Sequence, residues 1–254
     1  MISQRGTFAL HSTLEVHLDP WFEGNLVDHA RYSGHPDPIQ GVADFYVACG
    51  EQTLTAGVWN ELRPLVTGYA GGVLSCVAGD YVRGRALYLT CPDEGDFPLY
   101  GSLLGLNVFP HTTDGWVIAE RASELQVHPD LLWLFSEGIQ LDDLSPSPRY
   151  DDPEGHVNRT LDVLACAQRL CAEELGRTPT QVTPVTLHVE PRRTALSCVA
   201  EFDCTSAELA EAIKHAPDGW EQEPIAVPTL AAARALLPRR IHYLLDVLEQ
   251  TDTD

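Results

Sequence analysis

Residues 157–175 carry the longest helix signal in the chain, and its two-sided apolar pattern restricts what can surround it. Within the segment Gly155 to Gly176, GHVNRTLDVLACAQRLCAEELG, the residues Leu161, Leu164, Cys171 and Leu175 fall on one helical stripe. Val163, Cys166 and Leu170 fall on a second stripe, roughly opposite the first. A helix that is apolar on two faces is buried between two layers, not laid on a surface. The pattern therefore predicts a helix over 157–175 packed against a sheet and covered by something else. Gly176 follows as the C′ residue that ends it.

The first 95 or so residues read as mostly β and supply a candidate cover. In TFALHSTLEVHL, residues 7–18, Phe8, Leu10, Leu14, Val16 and Leu18 share one parity, while His11, Thr13, Glu15 and His17 share the other. That period of two predicts one strand with a wet face. DFYVAC predicts a further strand, and VLSCVAGDYVRGRALYLTC predicts two strands about a Gly-Asp turn, with GYAGG as a connection. His29 and His35 lie in a turn-rich stretch as candidate pocket residues. CPDEGDFPLYG, residues 91–101, concentrates Pro, Gly and acid and marks a boundary.

Beyond that boundary, LLGLNVFPHTTDGWVIAERAS predicts a hairpin about a Thr-Asp-Gly turn. LLWLFSEGIQL predicts a short strand entering a glycine turn. TPVTLHVEP and TALSCVAEFDC predict a strand pair. SAELAEAIKHA predicts a helix capped by Ser206. PTLAAARALL and RRIHYLLDVLEQ predict two closing helices.

The 254 residues carry 37 acidic and 16 basic side chains, a formal net charge of −21. That balance repels a nucleic-acid backbone and an anionic membrane surface, so neither is an expected partner. Small phosphorylated ligands stay admissible, because a divalent metal on carboxylates reverses the local sign. Seven cysteines with no Cys-x-x-Cys pair, mostly inside apolar runs, read as reduced core residues. No apolar run is long enough to span a bilayer and the N-terminus lacks a signal-peptide pattern, so a cytoplasmic protein is expected. Gly68–Gly72 lacks the Lys-Ser/Thr of a phosphate loop, no Gly-x-Ser-x-Gly occurs, and the ten histidines show no ligand spacing.

The spacing of Gly155, Arg169, Glu173, Glu174 and Gly176 resembles the signature of the Nudix family, Gly-x5-Glu-x7-Arg-Glu-apolar-x-Glu-Glu-x-Gly-apolar. Two signature glutamates are leucines here, Leu161 and Leu170. The resemblance extends to the hairpin around Thr113–Trp116, to Trp133–Gly138 before the box, and to Asp218-Gly219-Trp220-Glu221 with Val227-Pro228 after it. It implies an α/β/α sandwich with a mixed β-sheet over residues 99–254 and leaves residues 1–98, read above as a mostly β region, outside the match. It implies Mg2+ or Mn2+ as cofactor, with Glu173 and Glu174 as metal ligands and catalytic residues. Glu221, or Glu223, would supply a missing base, and Arg169, Glu137 and Trp220 would contact substrate. The expected partner is a small phosphorylated or nucleotide-like molecule, and a homodimer is compatible with this reading.

Carboxylates at i, i+3 and i+4 share a helix face, and here those positions are Leu170, Glu173 and Glu174. A leucine at 170 removes a hard oxygen ligand from a cation that demands near-octahedral oxygen coordination. Leu161, some three turns away on the predicted helix, is a change in packing. Arg169, with acidic neighbours of the box replaced, is expected to face solvent. Glu137 and Asp142-Asp143 are further acidic candidates. The favoured expectation is a degenerate box that binds a nucleotide-like ligand with weak or no diphosphate hydrolysis. The alternatives are an active metal-dependent hydrolase of nucleoside diphosphates linked to another group, such as a sugar, and a biosynthetic enzyme reusing the pocket.

Overall fold

The computed structural model describes residues 4–19, 62–80, 102–121, 132–146, 157–190, 193–219 and 222–251. The expectations for DFYVAC, His29, His35, Gly155, Trp220, Glu221 and the 91–101 boundary lie outside the described residues.

The structure is organised around β5 (Ser102–Thr112). Its sequence SLLGLNVFPHT is nearly continuous in apolar residues, as expected of a strand covered on both faces. β5 runs parallel to β12 (Thr194–Glu201) on one side. On its other side it meets β8 (Phe135–Gly138) and, through the tight turn at Thr113-Asp114, β6 (Gly115–Arg121). β12 pairs with β11 (Gln181–Val189), and β11 with β1 (Gly6–Ala9). The first residues of β5 also pair with β3 (Leu62–Ala70), which leads to β4 (Val73–Asp80), β2 (Thr13–Asp19), β10 (Val157–Asp162) and β9 (Leu144–Pro146). β7 (Leu132–Trp133) and β13 (Gln222–Val227) both pair with β6. Because β5–β12 and β2–β4 are parallel and the other pairs antiparallel, the sheet is mixed.

Alternate residues of the central strands feed two cores, which makes the fold an α/β/α sandwich. Leu104, Leu106 and Val108 of β5, and Val117 and Ala119 of β6, join a core containing α1 (Val163–Leu170) and α2 (Ser206–Ile213). Phe109 and Ile118 face the other way, against α3 (Leu230–Leu236) and α4 (His242–Thr251). Period-two alternation across a sheet is what sends neighbours to opposite layers. The N-terminal strands enter the first core: Leu10, Leu14, Val16, Val66 and Leu74 pack in one cluster with Val163, Cys166, Ala167 and Leu170. The two-sided burial expected of the helix is not found along α1: Val163, Cys166, Ala167 and Leu170 form one buried stripe, while Ala165 and Gln168 are exposed. Among the described residues, no helix is long and apolar enough to cross a membrane.

Several expectations are corrected. The helix does not start at 157: residues 157–162 form β10, held on one side by β2 and on the other by β9. Asp162 caps α1 by accepting the Ala165 N–H at 3.0 Å, so the helical phase begins only after it. Leu161 is therefore a strand residue, fully buried opposite Leu14 and Leu144. Residues 7–18 form two strands, because β1 joins β11 whereas β2 joins β4 and β10. Gly68–Ala70 belong to β3, only Gly71-Gly72 form the turn, and Gly79-Asp80 continue β4. The cap of α2 is Thr205, closed by Glu208 in a capping box. Ser206 instead donates its backbone N–H to Asp114 at 2.7 Å, tying the β5–β6 hairpin tip to α2. Glu223, the alternative candidate base, lies on a strand, since residues 222–227 form β13.

Cys76, Cys166, Cys171, Cys198 and Cys204 are buried thiols without a disulfide. Burial pushes Cys166, Cys171 and Cys198 up to about 12. The thiolate is the reactive form, so a Cys49→Ser/Cys91→Ser variant should not react with Ellman's reagent while folded and should react fully once unfolded. Rapid labelling of the folded variant would contradict this packing.

Candidate functional site

After Leu170 the helix widens into a π-type turn, Cys171–Leu175, and ends at Gly176 with φ of +63°. Bonds from i to i+5 change the angle between successive side chains, so the i, i+3, i+4 alignment of an α-helix no longer applies. Only glycine fits at 176: a Cβ there would lie 2.8 Å from the Ala212 carbonyl oxygen of α2, in addition to the left-handed backbone. The end of the box segment is thus pressed against α2. The Asp218 N–H also donates to the Glu173 carbonyl at 3.0 Å, drawing the chain after α2 to the same place.

The three positions expected to share a metal diverge. Leu170 is fully buried, packed in the core shared by the sheet and the N-terminal strands. Glu174 is also buried, and its carboxylate accepts a hydrogen bond from the Gln222 side-chain amide of β13. Glu173 is half-exposed and turns toward Arg169, whose Nη1 lies 3.5 Å from its Oε2. One apolar, one buried and one ion-paired side chain do not offer the clustered open oxygens that Mg2+ or Mn2+ requires. Among the described residues, no three His, Cys, Asp or Glu side chains are grouped to hold a metal ion. The box positions therefore do not fit the implied cation.

Arg169 is the centre of what the structure does assemble. The expectation that it faces solvent is corrected. Its guanidinium pairs with Glu137 from β8, bridges both oxygens of Asp143 at 3.0 and 3.2 Å, and reaches Glu173. Asp143 is aimed by its own turn: residues Leu141–Asp143 form a 3-10 turn in which Asp143 accepts the Gln140 N–H at 2.8 Å. The neighbouring Gly138 carbonyl accepts from Arg63 Nη1 of β3 at 2.6 Å, so the N-terminal strands brace the strand end that carries Glu137. Glu137 and Arg169, both proposed as substrate contacts, are brought together. Glu223, on β13, is exposed. Trp220 and Glu221 are outside the described residues, although Gln222 beside them reaches Glu174.

The electrostatics follow from this packing. Burial holds the Glu137 carboxyl above the usual carboxylate range, with Arg169 opposing and Glu173 and Asp143 adding to the shift. For Arg169, burial works against the charge, and its carboxylate partners, Glu137 foremost, outweigh it and raise its pKa. Asp143 and Gln222 are the participants that sequence reasoning left unassigned or missed. The Gln140-x-x-Asp143 spacing is a local signal for the first. Nothing local marks Gln222.

Two outcomes are expected. Leu170→Glu, which restores the signature residue, places an unpaired carboxylate in the core and should destabilise the fold by about 4 kcal/mol. Leu170→Met should cost less than about 1.5 kcal/mol; equal stability of the two in urea denaturation would contradict the burial. For Glu137, the folded state binds a proton more tightly than the unfolded state. Its contribution to stability is therefore greatest at low pH and is lost as pH rises from 4.5 through the raised folded value. The stability of wild type minus that of Glu137→Gln should fall across that window in denaturation curves, and a rising difference would contradict the assignment.

No protein-family description matches the chain, and no curated protein matches it. Solved structures similar to it include the Nudix domain of Shewanella oneidensis NrtR complexed with ADP-ribose. That match has 14% identity, spans 66% of this chain and 97% of that one, and has a TM-score of 0.38. DR0079 from Deinococcus radiodurans is similar at 14% identity over 73% and 98% of the two chains, with a TM-score of 0.38. A MutT protein from Methanosarcina mazei is similar at 16% identity over 59% and 93%, with a TM-score of 0.36.

Proposed function

We propose that this chain binds a nucleotide-like or phosphorylated small molecule on a Nudix-like fold, without ordinary diphosphate hydrolysis. One observation carries the loss of hydrolysis: the carboxylate cluster of the box is dispersed. Glu174 is engaged by Gln222, Glu173 by Arg169, and position 170 is a buried leucine. Water attack on phosphorus needs a cation or equivalent positive charge to neutralise the developing negative charge. Among the described residues, the box positions present no group of open oxygens to hold one.

The ligand class rests on the resemblance of the Gly155–Gly176 segment and its flanking motifs. Within this reading Arg169, Glu137 and Trp220 are the ligand contacts. Glu173, Glu174 and Glu221 are the carboxylates that turnover would require. The charge of the cluster selects which part of the ligand it meets. Three carboxylates around one guanidinium are formally net negative, which repels phosphate but accepts hydrogen bonds from sugar hydroxyls.

Calorimetry and phosphate release with ADP-ribose and a set of nucleotide sugars, each with and without Mg2+ or Mn2+, test this. At least one should bind saturably with no turnover. Metal-dependent cleavage abolished by Glu173→Gln would replace this reading by that of an active hydrolase. Absence of binding by every member would remove the ligand assignment.

A further inference from the structure

We infer that Thr7, His188 and Glu190 form a second reactive site, in which the Thr7 hydroxyl is a nucleophile toward small esters and His188 its general base. The inference is independent of the binding reading above, because these side chains lie on the other face of the sheet from α1.

Alternation along β11 separates the two sites. Leu187 and Val189 join the core of α1, and His188 between them faces the other way. There its ring lies parallel to that of Tyr243 of α4, with centroids 3.9 Å apart and planes at 5°. The pairing of β1 with β11 sets Thr7 directly opposite His188. The Thr7 hydroxyl lies 2.9 Å from His188 Nδ1, and Glu190 places Oε1 2.9 Å from Nε2. The second contact is close without being aligned as a hydrogen bond, so the carboxylate acts on the ring through its charge. Negative charge beside Nε2 favours the tautomer that carries the proton there, which leaves Nδ1 to accept from the hydroxyl. Contact with His188 is the first cause holding the Glu190 carboxyl below the usual range, and Arg193, 3.9 Å away, acts in the same sense. Glu190 therefore stays ionised as an imidazolium forms beside it. The Tyr243 stack fixes the plane of the ring, while burial pushes the Tyr243 phenol up and keeps it neutral. Thr7 is exposed on an edge strand, open to a substrate, whereas His188 is buried. A hydroxyl, an imidazole and a carboxylate in this order are the parts of a base-activated nucleophile. With an ester, the Thr7 Oγ–carbon bond forms as the hydroxyl proton passes to Nδ1. The ester C–O bond then breaks, and the leaving alkoxide takes that proton. Water, giving a proton to the same nitrogen, attacks the acyl carbon, releases the carboxylic acid and lets the proton return to Thr7.

The test is labelling of the full chain with diisopropyl fluorophosphate, which loses fluoride to a nucleophilic hydroxyl and leaves an adduct that peptide mass mapping locates. Folded wild type should carry the adduct on Thr7, and Thr7→Ser should keep it. His188→Gln should slow labelling of Thr7 at least about a hundredfold. Glu190→Gln should slow it roughly tenfold or more, and Glu190→Asp should restore part of the rate, a recovery not expected if the pair merely fastened β1 to β11. Turnover of p-nitrophenyl acetate should be present in wild type and lost in Thr7→Val. No adduct on Thr7 overturns the inference, as does a folded His188→Gln that is labelled there as fast as wild type. Wild type without p-nitrophenyl acetate turnover, or an unchanged rate in Thr7→Val, also overturns it. If His188→Gln fails to fold, Glu190→Gln decides: an unchanged labelling rate sinks the inference, and a slowed one supports it.

Discussion

Everything near the candidate site depends on the one face that α1 buries in the core. Its buried residues Val163, Cys166, Ala167 and Leu170 lie on one face and pack in one core with residues of β5 and β12 and with Leu10, Leu14 and Val66 of the N-terminal segment. Each fully buried aliphatic side chain of this kind contributes roughly 1.5–3 kcal/mol. The helix is therefore locked in rotation, and the direction of every polar side chain it carries is set by its apolar ones. Leucine at position 170 is part of this lock. A carboxylate there would have to be solvated from the middle of the core, so the packing of the N-terminal strands and an apolar side chain at position 170 are two aspects of one arrangement.

With the rotation fixed, Arg169 emerges on the single edge of the helix where β8 and the following 3-10 turn approach. An arginine beside three carboxylates is both their neutralising partner and their geometric organiser. Arg63 extends the bracing into β3, at the strand end that carries Glu137. The chain's overall excess of acid gives this pairing more weight. In a molecule with net charge −21, local positive charge is scarce, and here it is spent internally.

Local features of the fold were legible. The β5–β6 hairpin followed from its alternation and its Thr-Asp-Gly turn, the β11–β12 pair from two apolar strands, and Gly176 from its position after the last apolar residue. The start of the helix was not. Val157 to Asp162 continue an apolar rhythm that suits either geometry, and the choice was made by pairing with β2, more than a hundred residues earlier. The partners of Arg169 were hidden for the same reason: Glu137 and Asp143 stand 32 and 26 residues away in sequence. Gln222 stands 48 residues from Glu174.

The sequence by itself determined which residues are apolar, where the chain can turn, and that Glu173 and Glu174 sit in a box-like spacing with leucine at 170. Those properties are local, because turn chemistry, capping and side-chain period act within a few residues. Only the tertiary structure decided what each carboxylate does. A π-type turn altered the angle between Glu173 and Glu174, a distant strand took one, and a guanidinium took the other. Spacing along a chain defines an angle only for an assumed helix, whereas a charge answers to whatever the fold brings within a few ångströms of it.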